Sequence, residues 1–494
     1  MKNYQKSYII IVLVILLTLS ACNKANDISK NNEVNGKVIE SMLNTANNEP
    51  SLENSEKETI INYSNEDNID EENLLSIVEE LISEKYLGRL TGTLGNELAI
   101  QYIADKFKEI GLESPQDIDN YLQDFTINCL TFDEAPIMQL EDKDGNVIKS
   151  YKYTEDFVIR LHSTSKNIDV KAPLYFVKGS ESEANVNVNA LDKILLFPTT
   201  RKANENPYIK AAGSLAGIIE DDITSSRRSY SSLPVAPLGN NMFDNQYEPN
   251  LRVDRDTFAE LKDAVDNDLI LHIKHNFTVE RDKKVSNVIG VIPGSDPVLK
   301  DEYIVIGAHF DHVGDNKNET YNPGALDNAS GTAALLEIAR IIKSNEVSPK
   351  KTIIFAAFNG EENGLVGSYY YAENPLYLLD KAVMINLDMI GCSADIPISI
   401  STSSGEKSQL QEQLIKYAKD LNIKYKTSIM AGSDHTPFSK KGVEAVLLIN
   451  EDWLNGYHSY NDTLEDVDKF NMEQVVKLVL YYIENSPNSV DLKE

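Results

Sequence analysis

The sequence predicts an α/β protein, a mostly parallel mixed sheet flanked by helices, with a mainly β unit inserted into it. Three observations carry this. From Val285 onward, unbroken apolar runs such as 288–292 (VIGVI), 352–358 (TIIFAAF) and 445–450 (AVLLIN) alternate with segments of helical spacing, the pattern of strands buried on both faces and joined by crossover helices. Between about 150 and 283 the pattern changes to short apolar runs cut by polar stretches, such as 193–197 (KILLF) ending at Pro198 and 216–219 (AGII), which reads as the inserted unit with one or two helices. Finally, 494 residues at 41% hydrophobic and 25% charged suffice for two or three folded units of ordinary globular composition.

The elements follow in order. Lys2 and Lys6 precede the apolar run 8–19 (YIIIVLVILLTL), short for a mature membrane span and right for the apolar part of a signal peptide. It leads into Leu19-Ser20-Ala21-Cys22, which resembles the lipobox of bacterial lipoproteins and implies removal of residues 1–21 as a signal peptide and a lipid on Cys22. Burial of acyl methylenes then predicts a protein anchored on the extracytoplasmic face of the cell membrane without crossing it. Residues 22–72, with twelve Asn from Asn23 onward, repeated acidic residues and a single aromatic, Tyr63, read as a disordered acidic tether that cannot bury enough to offset its entropy. Residues 73–149 open the folded part, where Tyr102, Ile103, Phe107 and Ile110 stand at helical spacing with Gly111 as a stop. Residues 150–283 are the insertion, and 284–494 the main α/β domain. Lys and Arg number 47 against 77 Asp and Glu, a net charge of −30, and a field of that sign excludes nucleic acid as a partner. Apart from Cys22 only Cys129 and Cys392 remain, too few for a disulfide framework or a Cys-based zinc site, with a bridge between the two left open.

Polar residues gather at the carboxyl ends of the strand-like runs. Four of these runs deliver His309, the pair Glu361-Glu362, Asp388 and the loop after Asn450, and open α/β sheets bind ligands beyond those ends. His309, Asp327, Glu362, Asp388 and His458 are two imidazoles and three carboxylates, a set that suits a pair of zinc ions if one carboxylate bridges them. Glu361 is then a free carboxylate beside them, suited to take a proton from water. Taken singly, a lone histidine is more often structural than a ligand, and paired Glu also suits a helix N-terminus, which favours negative charge.

The local wording goes further. The motifs 307–311 (GAHFD), 323–331 (PGALDNASG), 359–362 (NGEE) with 364–368 (GLVGS), 386–389 (NLDM) and 457–463 (YHSYNDT) occur in this order. Together they resemble the bacterial co-catalytic-zinc aminopeptidases, a family that also includes glutamate carboxypeptidases, glutaminyl cyclases and the non-catalytic transferrin-receptor ectodomain. The resemblance covers about 81–132 and 286–485, and the middle region resembles a protease-associated domain. It implies the zinc-peptidase fold and two zinc ions per chain, with His309 and Asp388 on one, Glu362 and His458 on the other, and Asp327 between them. It further implies Glu361 as general base, Tyr457 as a hydroxyl donor to the oxyanion, Asp434 of Ser433-Asp434-His435 near the substrate pocket, and a cis peptide at Asp327-Asn328. Asp311, two residues after His309, is suited to accept a hydrogen bond from the imidazole nitrogen that does not bind metal. His312 alternates to the other side of the strand and reads as a rim or structural residue, and His435 stays outside the ligand set. Leu326 stands where many relatives carry an acid, which leaves Asp327 in place.

The other features read plainly. His162, His272 and His275 fall in the insertion without a third ligand, Arg227-Arg228 is an exposed loop, and Trp453 either lines the pocket or packs. The implied protein is a lipid-anchored extracytoplasmic zinc aminopeptidase acting on the N-termini of peptides or proteins, held to the membrane through Cys22. The alternatives are a dipeptidase or carboxypeptidase, a glutaminyl-cyclase-like enzyme with one zinc, and a non-catalytic binding lipoprotein. Nothing in the sequence sets an oligomeric state.

Overall fold

The computed structural model describes residues 62–159, 167–178, 189, 191–198, 215–220, 251–345, 348–393, 395–406, 408–451 and 456–486. The chain divides into two units, Met1–Ile60 and Ile61–Glu494, and every described residue belongs to the second. The signal segment, Cys22, His162, Arg227-Arg228 and Trp453 lie outside the described residues.

The main sheet has eight strands. They are β1 (Leu122–Phe132), β2 (Phe277–Ile292), β3 (Tyr303–His309), β4 (Thr352–Phe358), β5 (Ala382–Leu387), β6 (Ile398–Thr402), β7 (Tyr425–Ile429) and β8 (Glu444–Asn450), in the spatial order β1-β2-β4-β3-β5-β8-β6-β7. The run β4-β3-β5-β8 is parallel throughout, β1 and β2 meet their neighbours antiparallel, and β6 is antiparallel to β8 but parallel to β7. All residues of β4, and all but the first of β3, β5 and β8, are buried, as expected of central strands covered on both faces. The observed architecture is the α/β class expected from the sequence.

Helices α1 (Glu71–Leu81), α2 (Leu94–Ile110), α3 (Ser330–Ser344), α4 (Val366–Glu373), α5 (Gln409–Asp420), α6 (His435–Lys440) and α7 (Lys469–Asn485) flank the sheet. The expected helix before Gly111 is α2, capped by Thr93 at its start and by left-handed Gly111 at its end. Leu74, Ile77, Val78, Ala99, Ile103 and Phe107 of α1 and α2 join residues of α3 and α7 in one core.

The segment read as a tether ends earlier than residue 72. Residues 66–68 form a short helical turn, Tyr63 is fully buried, and both the N–H and the hydroxyl of Ser64 donate to the Glu484 carboxylate at 2.7 Å. Buried Glu337 of α3 accepts from Asp70 N–H and from the Asn73 side chain. A single aromatic anchor with long-range polar ties is enough to dock a segment whose composition is otherwise that of a solvated chain. Tyr63→Ala is expected to cost about 3–5 kcal/mol of stability, read as a lower urea midpoint, and an unchanged midpoint would show that the docked segment contributes nothing.

The insertion also starts earlier than 150. Its eight-stranded sheet runs Val147–Tyr151, Ile137–Glu141, Ile270–His275, Ile168–Phe176, Ile194–Phe197, Ala216–Glu220, Leu251–Val253, Phe157–Ile159 in spatial order. The strand at 137 belongs here because it pairs with Ile270–His275 across the sheet. This sheet and the helix Arg255–Asp266 bury a separate core around Phe157, Ile194, Leu261 and Ile273. β1 and β2 pair along their length, from Leu122 with Val288 to Phe132 with Phe277, and form a two-stranded arm from one sheet to the other. Among the described residues no helix is long and apolar enough to cross a membrane.

Candidate metal centre

Four neighbouring parallel strands bring the candidate residues to one edge. β3 ends on His309, β4 runs into Glu361 and Glu362, β5 into Asp388, and the chain after β8 returns with His458. His309, Glu362, Asp388 and His458 are buried, and Glu361 is partly exposed. Asp327 sits in the turn before α3.

The two oxygens of Asp327 face different partners. Oδ1 lies 3.3 Å from His309 Nε2, which is also 3.3 Å from Asp388 Oδ1. Oδ2 lies 2.9 Å from His458 Nε2, which is 3.0 Å from Glu362 Oε2. Such separations are what donors sharing an ion about 2.0–2.1 Å from each would show. One carboxylate thus stands between two donor pairs, and Glu361 groups with His309 and Asp388.

The turn carrying Asp327 is tied on every side. Asp462 accepts from the backbone N–H of Leu326 at 2.8 Å and of Asp327 at 3.0 Å. Asn328 donates to Leu387 O at 2.9 Å while its Oδ1 accepts from the N–H of Gly331 and Met389, joining the turn to the stretch that bears Asp388. Thr332 donates to His309 O at 2.8 Å. Gly324 has φ +66, and a side chain there would meet Asp327 O at 2.4 Å and the His312 ring at 2.5 Å. The peptide Asp327-Asn328 is cis, as the resemblance implied.

The centre is crowded with buried acid. Asp311, Asp327, Glu362, Asp388, Asp434 and Asp462 are all buried, and Arg89 is the buried cation set among them. Burial pulls Arg89 down to about 10, with Asp462, Asp327, Asp311 and Glu362 opposing. For the side chains alone, burial would lower His458, but Glu362 and Asp327 carry it up to about 10. Burial likewise opposes the charge on His309, yet Asp388, Glu361 and Asp327 raise it well above the usual range. Burial raises Asp327, and the hydrogen bonds of His309 and His458 more than reverse that. Glu361 goes the other way: burial, then Glu362, Asp388 and Asp434, lift it well above the ordinary carboxylate range against the pull of His309. Burial also pushes Asp462 up to about 8, against the two N–H groups that it accepts. Buried carboxylates at this density need cations, and nitrogen and oxygen donors in two groups around a shared carboxylate fit a pair of zinc-sized ions.

Other expected residues are placed as follows. The Asp311 carboxylate does not reach the imidazole: His309 Nδ1 lies 3.2 Å from Asp311 O and 3.7 Å from Asp311 Oδ1. Its oxygens instead accept from the N–H of Glu361 at 3.1 Å and of Glu362 at 3.2 Å, and from Thr91 Oγ1, so it sets the strand-to-helix turn that holds the glutamate pair. His312 is no rim residue. It is fully buried, with Nδ1 3.1 Å from Glu362 Oε1 and its ring 5.6 Å from that of His458. β3 ends at His309, so strand alternation no longer governs position 312.

Asp434 does not line an open cleft. It is fully buried at the start of α6, next to Ser433, which donates to Asp388 Oδ2 at 2.6 Å. Burial pushes it up to about 7, with His309 and Ser368 opposing and Asp311 and Asp388 adding. The half-buried Tyr457 stacks on His458 with ring centres 3.7 Å apart. His435 turns away to Met430 O at 2.8 Å. His272 and His275 stay in the insertion, the first beside Asp169 and Glu141, the second among Phe132 and Phe277. Cys129 and Cys392 are both buried and are not bridged to each other. The residues missed in the sequence are Arg89 and Thr91, for which the available signal was a Gly-Arg-Leu-Thr-Gly run at 88–92.

A family profile described as Peptidase family M28 matches residues 287–483. Residues 287–483 are a peptidase family M28 domain. That stretch holds β2 from Asn287 on, β3 to β8 and every residue of the two donor pairs. Aminopeptidase YwaD of Bacillus subtilis strain 168 is 31% identical over 203 residues, 39% of this chain and 43% of that protein. A glutamate carboxypeptidase 2 homolog of Caenorhabditis elegans is 36% identical over 126 residues, 25% of this chain and 15% of that protein. The chain spans less than half the length of the curated relatives it matches. Among solved structures, an aminopeptidase from Aneurinibacillus sp. strain AM-1 superposes with a TM-score of 0.61 at 22% identity, over 88% of this chain and 98% of that one. BSAP, a zinc aminopeptidase from Bacillus subtilis, gives 0.61 at 22% identity over 86% and 99%. These structures share the fold of the M28 domain and of the sheet inserted ahead of it.

Proposed function

We propose that this protein is a zinc-dependent aminopeptidase that hydrolyses the N-terminal peptide bond of peptides or proteins, exported and held by a lipid on Cys22 at the extracytoplasmic face of the cell membrane. The observation that carries the enzymatic reading is Asp327, whose two oxygens face His309 with Asp388 and His458 with Glu362, beside Glu361. Those five residues would hold the two metal ions. Bound zinc would supply Lewis acidity for the scissile carbonyl and for the attacking water.

The chain's own part is proton handling and positioning. Glu361 is raised by burial and by neighbouring acids, which suits a group that takes a proton from water and returns it to the leaving amine. Asp311 fixes its main chain. Tyr457, stacked against His458, is the candidate hydroxyl for the developing oxyanion. The inserted sheet is read as a protease-associated-like domain, and the lipobox-like Leu19-Ser20-Ala21-Cys22 supports the anchor. Metabolic labelling with a radioactive fatty acid tests the anchor, and label that survives in Cys22→Ala would exclude it.

The test of substrate class uses one peptide with free, acetylated or amidated ends. Release of single residues is expected to need the free amine and to ignore the carboxyl end. Dependence on the carboxyl end would move the enzyme to the carboxypeptidases, and no release from any form would leave a binding protein.

A further inference from the structure

Arg89 heads the fully buried side chains by volume, and it sits at a left-handed backbone position, φ +51. Its guanidinium spends its bonds on main-chain carbonyls. Nε donates to Phe310 O at 2.7 Å, Nη1 to Leu81 O at 2.8 Å and Pro323 O at 2.7 Å, and Nη2 to Gly324 O at 2.9 Å. A buried cation is costly unless its donors are met, and here they are met by three separate stretches of chain. One is the end of α1, one is the residue after His309, and one is the entry to the turn bearing Asp327.

Asp462 takes the opposite side of that turn. Its carboxylate accepts the N–H of Leu326 and of Asp327, and its own carbonyl accepts the N–H of Ala325 at 3.3 Å. The carbonyls of Pro323 and Gly324 therefore point to Arg89, and the amides of Leu326 and Asp327 to the Asp462 side chain. Donors hold the turn from one side and acceptors from the other, which fixes its orientation as well as its position. Lysine could not replace the arginine, because only a planar fork reaches several carbonyls in fixed directions.

We infer that Arg89 and Asp462 form a hydrogen-bonding clamp that positions the Asp327 carboxylate between the two donor pairs, so that metal binding by this domain depends on a residue supplied from outside 287–483. The inference rests on the reading of those pairs as metal ligands. Arg89 and Asp462 are positioning residues, touching the turn and Phe310 rather than the ions. Their effect is on how well the site is formed before an ion arrives, the kind of support whose loss costs about tenfold to a hundredfold in metal affinity.

The experiment titrates zinc into the full chain in competition with a chromogenic chelator, for the parent, Arg89→Lys, Arg89→Met and Asp462→Asn. In parallel it records the visible spectrum of each cobalt(II)-loaded protein, and the circular dichroism and melting temperature of each metal-stripped protein. The expected result is zinc affinity lower by about tenfold or more in each variant and an altered cobalt spectrum, with metal-stripped folds close to the parent. A lowered melting temperature with unchanged zinc affinity and cobalt spectrum would overturn the clamp and leave Arg89 a core residue. If the Arg89 variants do not fold, Asp462→Asn decides alone, since parental affinity and spectrum in that variant overturn the clamp. A parent that takes up no zinc would overturn the metal reading itself, an outcome distinct from the other two.

Discussion

Glu361→Gln is expected to lower peptide turnover by about 10²–10⁴-fold while the protein still takes up its full complement of zinc. The side chain keeps its size and its main-chain tether, since the bond from Glu361 N–H to Asp311 does not involve the carboxyl group. It loses only the capacity to hold a proton. Rate and metal content separate two roles: a general base changes the first alone, whereas a ligand changes both. Turnover within a few-fold of the parent would remove Glu361 from the mechanism. A fall in zinc content would instead place it among the ligands, in keeping with its grouping with His309 and Asp388.

Asp327→Ala is expected to abolish activity and to remove both ions at once, measured as zinc per chain after dialysis at neutral pH. The reason is geometric. His309 with Asp388, and His458 with Glu362, are two donor pairs that each face one oxygen of Asp327, and two zinc ions held by those pairs would need an anion between them. Asp388→Ala provides the contrast, because it touches one pair and should cost one ion first. Retention of two tightly bound zinc ions in Asp327→Ala would show that the pairs are independent sites.

The parts of this molecule legible in the sequence are those whose signal is local. Strands β3, β4, β5 and β8 are continuous apolar runs, and α2 announces itself by spacing and by Gly111. The ligand candidates stand in short motifs at strand ends, so the topology of a parallel sheet collects them. What escaped depends on distant partners or on where regular structure stops. Arg89 bonds to carbonyls, which every residue has, so no side-chain pattern marks its targets. His312 was misplaced by extending the two-residue period past the last residue of β3. Asp311 was assigned to the imidazole from spacing alone, whereas the folded chain turns its oxygens towards amides at 361 and 362. Tyr63 and Ser64 lie in an Asn-rich, acidic stretch, and their anchor, Glu484, is 420 residues away.

The two-stranded arm bears on how such a protein can be assembled and altered. Because Phe132 and Phe277 are paired partners, the inserted sheet leaves the peptidase domain and re-enters it at adjacent points, and the intervening chain is, for the main sheet, one long loop whose ends are already side by side. Lengthening or shortening such a loop changes its closure entropy only logarithmically. The contact from Asn318 to Tyr153 O is a second attachment, reaching the chain that leads from β3 to the Asp327 turn. The arm thus carries the inserted sheet without interrupting the central strands, and the Asn318 contact ties that sheet to the chain approaching the edge where the donor pairs stand.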